Sequence, residues 1–496
     1  MTETPRATVV PELLERRSAD TPDGVALAVD RGGRLTFHEW EARSRRVAHT
    51  LCAAGVQRGH RVALLFGPMQ WVEYAVAYLG VIRTGATAVH LYDGMERVEV
   101  DRRLTECQVS RVVHADGRSA PEGFAGPATA LSALESGADG PLEVRADPAD
   151  PCDVFYTSGT TGPAKGYTVP HGNVTFGRDP AAFKAFTSGG VLLVPQETGT
   201  STSVQCLHAA LVSPVSSLIC APADVERMGE LVQELSIGSL ALTPWLAIQL
   251  IEADIPRKYD LSSVRMLACA SAPLPPAVAR TLLALVPGAR IATAFSQSEA
   301  SPALIIGTFD PARPLAVGRP NPATELRLAG PDGEPVPPGE VGEIWLRHCA
   351  PRRLYLDPAS NEGILADGWY RTNDYGRLTE DGELVLFDRG EDLVRTAAGP
   401  VSTIEVEAAL YEHPAVREAG VVGVPAGDGV PEIVAAVALR TPADPADLRE
   451  FAAQRLRPYQ VPARVVVVDA LPRSGKGKVL KSELRELVAE AAVAWR

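Results

Sequence analysis

The sequence predicts an α/β protein with a large N-terminal domain of α/β layers plus a β-rich subdomain, and a small α+β C-terminal domain. Three observations predict it. Helical and strand patterns alternate through the first hundred residues, where VAYLGVIRTG has helical spacing and RVALLFG and ATAVHLY read as short buried strands. Such alternation implies layers on a mostly parallel sheet. Beyond about residue 318 come GPDGEPVPPGEVGEIWLR and LTEDGELVLFDRG, in which Asp-Gly separates alternating strands, a hairpin signal. From Glu391 the order changes to a helix (IEVEAALYEH), strands (VREAGVVGV, IVAAVALR, RVVVVDAL) and helices (ADLREFAAQRL, SELRELVAEAAVAW).

That tail, about 105 residues, is long enough for an independent domain. The expected division is therefore 1–388 and 389–496. Residues 115–151 are rich in Gly, Ala, Pro and Asp and read as a surface connection with room for one short helix. A second α/β stretch follows to about Gly318, and no internal repeat is visible.

A chain of 496 residues is too long for one compact core, which supports this division. Hydrophobic residues at 46% and charged residues at 22% give the balance of a soluble globular protein. No apolar run reaches the roughly 18 residues of a membrane span, and MTETPRATVVPELLERR lacks the order of a secretory signal. A cytoplasmic protein is expected. The net charge of −13 argues against nucleic acid or an anionic membrane as partner. The seven cysteines (Cys52, Cys107, Cys152, Cys206, Cys220, Cys269, Cys349) are scattered, with no CxxC pair. They are expected to be buried reduced thiols rather than disulfides or zinc ligands.

The most informative segment is VFYTSGTTGPAKG, 154–166. An apolar strand runs into Thr157, Ser158, Gly159, Thr160, Thr161 and Gly162, followed by Lys165. Two glycines and four hydroxyl residues let backbone N–H and side-chain O–H groups converge on a phosphate, and the lysine adds a compact positive charge. The segment is not GxxxxGK[ST], because no Ser or Thr follows Lys165.

Here the sequence resembles the adenylate-forming superfamily: acyl-CoA synthetases, nonribosomal peptide synthetase adenylation domains and luciferases. That family's loop reads close to YTSGTTGxPKG; this chain has Pro163-Ala164 where the family has x-Pro. Further signatures follow in the family's order, from about residue 35 to about 490, with the weakest match between about 175 and 240. The resemblance implies an enzyme that uses ATP and Mg2+ to join a carboxylic acid to AMP with loss of pyrophosphate. It then hands the acyl group to an acceptor, and its small C-terminal domain is mobile.

Adenylation brings an anionic oxygen onto an anionic phosphate, so the protein must supply positive charge and in-line positioning. By resemblance, AFSQSEA stands for YGxTE: Glu299 holds magnesium, Ser298 contacts phosphate, and Phe295 replaces the tyrosine that stacks on adenine. Magnesium suits one carboxylate beside a triphosphate. In GWYRTNDYGRL, which matches GWYxTGD, Asp374 accepts from the ribose hydroxyls and Asn373 replaces the usual glycine. In FDRGED, Arg389 also contacts the ribose and Glu391 occupies the hinge, usually Asp. In ALPRSGKGKVLK, Lys478 sits at the family's GK and bridges carboxylate and α-phosphate; Lys476 and Lys481 stand nearby. The catalytic set is thus Lys478, Glu299 and Lys165.

Two departures bear on the acceptor. The family's second-step loop, roughly SGGENVYPxEIE, is TAAGPVSTIEVE here, with Ala397 and Ala398 for two glycines and a stiffening Pro400. In VPQETGTSTSVQCLH, Thr198 falls where a His commonly sits, and His208 is a candidate substitute. His171 matches a family position without a clear chemical role. The altered loop tips the expected acceptor slightly towards an amine, as in an amide synthetase. CoA or a carrier-protein thiol, nitrite in place of the acid, and a non-catalytic nucleotide-binding module are the alternatives. Survival of Lys165, Glu299, Asp374, Arg389 and Lys478 argues against the last.

Overall fold

The computed structural model describes residues 8–92, 94–157, 164–176, 190–426, 430–474 and 477–493. Two large sheets form the N-terminal part. In the seven-stranded one, Pro151–Tyr156, Thr87–Tyr92, Arg61–Phe66, Arg111–His114 and Ala128–Ala130 run parallel in that order. Gly166–Pro170 and then Leu354–Tyr355 extend it antiparallel at one edge. The strand Ala128–Ala130 and helix Leu131–Leu134 fall in the stretch read as a surface connection; both leucines are buried.

The fourteen-stranded sheet carries parallel strands Val25–Val29, Ser216–Cys220, Val191–Pro195, Ser239–Leu242, Met266–Cys269 and Arg290–Phe295. It continues antiparallel through Ile305–Thr308, Ala316–Pro320, Leu384–Arg389, Trp369–Leu378, Gly342–His348 and Thr324–Ala329. These last strands are the β-rich part expected from the Asp-Gly signals; Asp381-Gly382 does turn between two of them, with Gly382 at φ +79°.

The helix Trp71–Arg83, buried at every position except Glu73, joins the two sheets through one core. Its apolar sequence, hydrophobic on all sides, is what a helix between two layers requires. Phe37–Ala53 beside it starts at a capping box, in which Thr36 and Glu39 exchange side-chain-to-backbone bonds.

The smaller C-terminal domain has a three-stranded sheet, Val416–Val424, Glu432–Leu439 and Arg464–Val467, with helices Thr403–Tyr411, Pro445–Ala453 and Lys481–Val493. Apolar clusters form on both faces of that sheet. No helix among the described residues is long and apolar enough to cross a membrane. All seven cysteines are free, but Cys52 and Cys206 are half-buried and Cys349 is exposed, so burial of every thiol is not what the fold gives. Cys349 follows the last residue of an edge-proximal strand and enters a loop.

The strand Pro151–Tyr156, which runs into Thr157, is held by a buried polar network. His90 donates from Nε2 to Asp153 at 2.9 Å, and Tyr78 donates to the other carboxylate oxygen at 3.2 Å. Tyr74 meets His90 Nδ1 at 2.7 Å, and His208 Nε2 meets the Tyr78 hydroxyl at 2.7 Å. The His90 ring also stacks on Phe155, 4.5 Å between centroids. Burial alone would raise the Asp153 carboxyl; the hydrogen bond and charge of His90, with His208, outweigh it and hold it below its ordinary value. A depressed folded-state value stabilises the fold above the unfolded-state range near ~3.9 and is lost as pH falls through the folded value. Asp153→Asn should therefore lower Tm at neutral pH, by about 1–3 kcal/mol of stability, and flatten the acid limb of a Tm-against-pH series; an unchanged acid limb would count against the network.

Candidate active site

A cavity of about 310 Å³ lies between the large domain and the C-terminal domain. The antiparallel pairing places Asp374 directly across from Arg389, and both line it. Asp374 is 8% exposed, accepts from Gln297 Nε2 at 2.8 Å, and lies 3.7 Å from Arg389 Nε. Burial raises its carboxyl above the ordinary value, with Arg389 and Gln297 pulling the other way. Such a carboxylate has lone pairs to spare and a strong incentive to accept hydroxyl donors. Phe295, the last residue of Arg290–Phe295, forms the wall beside it with Ser271, Ala272 and Pro273.

Lys478 enters this cavity from the C-terminal domain. Its loop is closed by Ser474 N–H to the Lys478 carbonyl at 2.9 Å and by Arg473 Nη1 to the Gly477 carbonyl at 2.6 Å. Gly477 has φ +78° and presses on Trp245, whose Cβ would stand 2.9 Å from an added Cβ. Only glycine meets both demands. Burial first, and then the charge of Arg389, lower the Lys478 ammonium to about 8, against the opposite pull of Asp374, Asp392 and Glu391. Among the described residues it forms no ion pair, whereas Lys481 is engaged by Glu407 at 3.2 Å and by the Thr403 hydroxyl. Lys481 thereby pins the start of the last helix; both lysines line the cavity, and Lys478 does so without an ion-pair partner among the described residues.

The other predicted residues that are described, Thr157, Lys165, Ser298 and Glu299, lie off the cavity wall. Tyr355 donates to Glu299 Oε1 at 2.5 Å, and the Lys165 ammonium lies 5.6 Å from the Tyr355 ring centroid. Ser298 is held by its carbonyl, which accepts from buried Arg353 at 2.9 Å. Thr157 and Lys165 bond each other, N–H to carbonyl at 3.0 Å and N–H to hydroxyl at 3.1 Å. Ser158, Gly159, Thr160, Thr161 and Gly162 lie outside the described residues. Gln297, Tyr355 and Trp245 were not picked out from the sequence; Gln297 stood inside the AFSQSEA motif, while the other two carry no motif of their own.

The departures now have locations. Asn373 sits at φ +56°, the left-handed region that glycine favours and asparagine tolerates, and its Nδ2 donates to Glu391 at 2.9 Å. Ala397 and Ala398 form the turn of a hairpin between Val394–Thr396 and Gly399–Val401, where only Gly399 has positive φ, +124°. The alanines are therefore unstrained in this hairpin. His208 is in the core network with Tyr78 and Asp153, away from the cavity, and Thr198 is buried with its hydroxyl on the Gly67 carbonyl at 2.9 Å. His171 is also buried, its Nδ1 accepting from Val10 N–H at 3.2 Å.

Comparison with known proteins decides the family. The AMP-binding enzyme family matches residues 14–356, and its C-terminal domain matches 405–478. The chain belongs to the AMP-binding enzyme family. It is 31% identical to a feruloyl-CoA synthase from an Amycolatopsis species, over 95% of this chain and 97% of that one. It is also similar to solved structures: ATP-bound MatB from Rhodopseudomonas palustris has a TM-score of 0.85 at 25% identity, over 97% and 99% of the two chains. The amide bond synthetase McbA from Marinactinospora thermotolerans has a TM-score of 0.83 at 27% identity, over the same shares. As a member of the family the chain is an ATP-dependent, AMP-forming ligase.

The buried lysine gives a direct test of the cavity's electrostatics. In the ligand-free protein Lys478 should titrate near 8, well below the ordinary lysine value. Competitive acetylation across pH, read by peptide mass, checks this; a Lys478 profile matching the bulk would show the cavity to be hydrated.

Proposed function

We propose that this ligase converts a carboxylic acid to its acyl-adenylate and transfers the acyl group to an amine. The supporting observation is the cavity that brings Asp374, Arg389, Phe295 and Lys478 together. Adenine stacks on Phe295, the ribose hydroxyls bond Asp374 and Arg389, and Lys478 stands where carboxylate and α-phosphate meet. Lys165 and Glu299 mark the phosphate end, with Ser298 and the loop 157–162 around it. Lys478 is mostly charged below about pH 8, and each added anion favours its charged form. Its ammonium therefore opposes the negative charge that builds up during attack.

Magnesium fits this donor set. Among the described residues no cluster of three metal-ligating side chains exists, and a cation that retains waters and phosphate oxygens needs only one protein carboxylate. Glu299 is that carboxylate, oriented by Tyr355. Magnesium supplies charge neutralisation across the phosphates when bound. The proposed domain division stays at 388/389, next to the ribose ligand Arg389.

The amine rests on the hairpin with Ala397, Ala398 and Pro400, together with the likeness to an amide bond synthetase. A second reading, transfer to the CoA thiol, is favoured by the feruloyl-CoA synthase relative. Pyrophosphate release from Mg2+-ATP across a panel led by hydroxycinnamic acids, with CoA or simple amines added, separates them. Stimulation by amines and not CoA supports the first reading, and the converse supports the second. Lys478→Ala should lower acid-dependent pyrophosphate release about a hundred- to a thousandfold and leave ATP binding largely intact; unchanged turnover would remove the lysine from the mechanism.

A further inference from the structure

We infer that Arg102 is a positioning residue that fixes both ends of the phosphate loop, an inference that rests on reading residues 157–165 as that loop. Arg102 lies on the helix Arg97–Glu106, outside the cavity. Its Nη2 donates to the carbonyl of Ala164, the residue before Lys165, at 3.0 Å. Its Cζ also stands 5.0 Å from the ring centroid of Tyr156, the residue before Thr157. One guanidinium thus touches the residue that enters the loop and the residue that leaves it.

The guanidinium is itself fixed. Glu99 accepts from Nε and Nη2 at 2.7 and 2.8 Å, and Glu106 accepts from Nη1 at 2.9 Å. Glu106 also accepts from the Tyr156 hydroxyl at 3.1 Å, and Arg103 covers the same ring at 4.2 Å while bonded to Glu99. A planar fork that serves two carboxylates, a carbonyl and an aromatic face together is a task for arginine and not lysine.

The loop's sequence explains why such a bracket is useful. With Pro163-Ala164 in place of x-Pro, the proline's fixed φ falls one residue early, and Ala164 keeps a free φ just before Lys165. Arg102 restrains that residue through its carbonyl. The effect belongs to the phosphate end, because the adenosine end is built on Phe295, Asp374 and Arg389 from other strands.

The test compares Mg2+-ATP and AMP binding by calorimetry, without acid, to the full-length wild-type chain, Arg102→Ala and Arg102→Lys. Arg102→Ala should weaken Mg2+-ATP about five- to thirtyfold while AMP changes less than about twofold. Arg102→Lys should show the same split at smaller size. Equal weakening of both nucleotides, or no change in either variant, overturns the inference. Should Arg102→Ala fail to fold, the lysine variant decides by the same criterion. A wild-type protein that binds neither nucleotide would instead sink the proposed function.

Discussion

The rest of the site depends on one desolvated ammonium held between unlike charges. Burying an uncompensated ammonium costs several kcal/mol even after relaxation. Asp374, Glu391 and Asp392 offset part of that cost for Lys478, and Arg389 adds to it. The compromise is a lysine whose proton is held less tightly than an exposed lysine's, yet which stays mostly charged at neutral pH. An anion entering the cavity would tighten it, so the binding of phosphate and carboxylate completes a charge balance that the free protein leaves unfinished. The same logic explains Asp374, whose carboxyl is raised by burial and gains from any hydroxyl donor that arrives.

The position of that lysine is set by packing, not by its own side chain. Gly477 must turn at positive φ against the Trp245 ring, and Arg473 must hold the Gly477 carbonyl. Trp245 belongs to the large domain's helix Pro244–Glu252, so the lysine's place is a property of the interface between the domains. Substituting Trp245 changes the site without touching a charged group. A network of this kind ties geometry in one domain to chemistry in the other.

This division explains what the sequence disclosed. Phe295, Glu299, Asp374, Arg389 and Lys478 stand in short contiguous motifs, where residue type and spacing carry the chemistry. The hairpin at Asp381-Gly382 and the alternating elements were legible because turn and period are local properties. Tyr355, Arg102 and Trp245 are ordinary residues whose importance comes only from what they touch across 56, 62 and 232 positions of chain. His208 shows the converse. The sequence offers it as a candidate substitute for the family's His at Thr198, yet its helix Ser201–Val212 turns it inward to the hydroxyl of Tyr78. A periodic apolar helix announces that one face is buried, not which polar neighbour waits there.

Two departures from the family's pattern meet each other in space. Asparagine at 373 satisfies the left-handed backbone as glycine would, but it also gives Glu391 a partner at 2.9 Å. Glutamate is one methylene longer than aspartate, which helps the side chain reach it. A single hydrogen bond of this kind, partly exposed, contributes about 1 kcal/mol net, enough to shift a two-state population about fivefold and far too little to lock it. The pair is therefore a weak tie between the strand Trp369–Leu378 and the segment just beyond Arg389 that leads into the C-terminal domain.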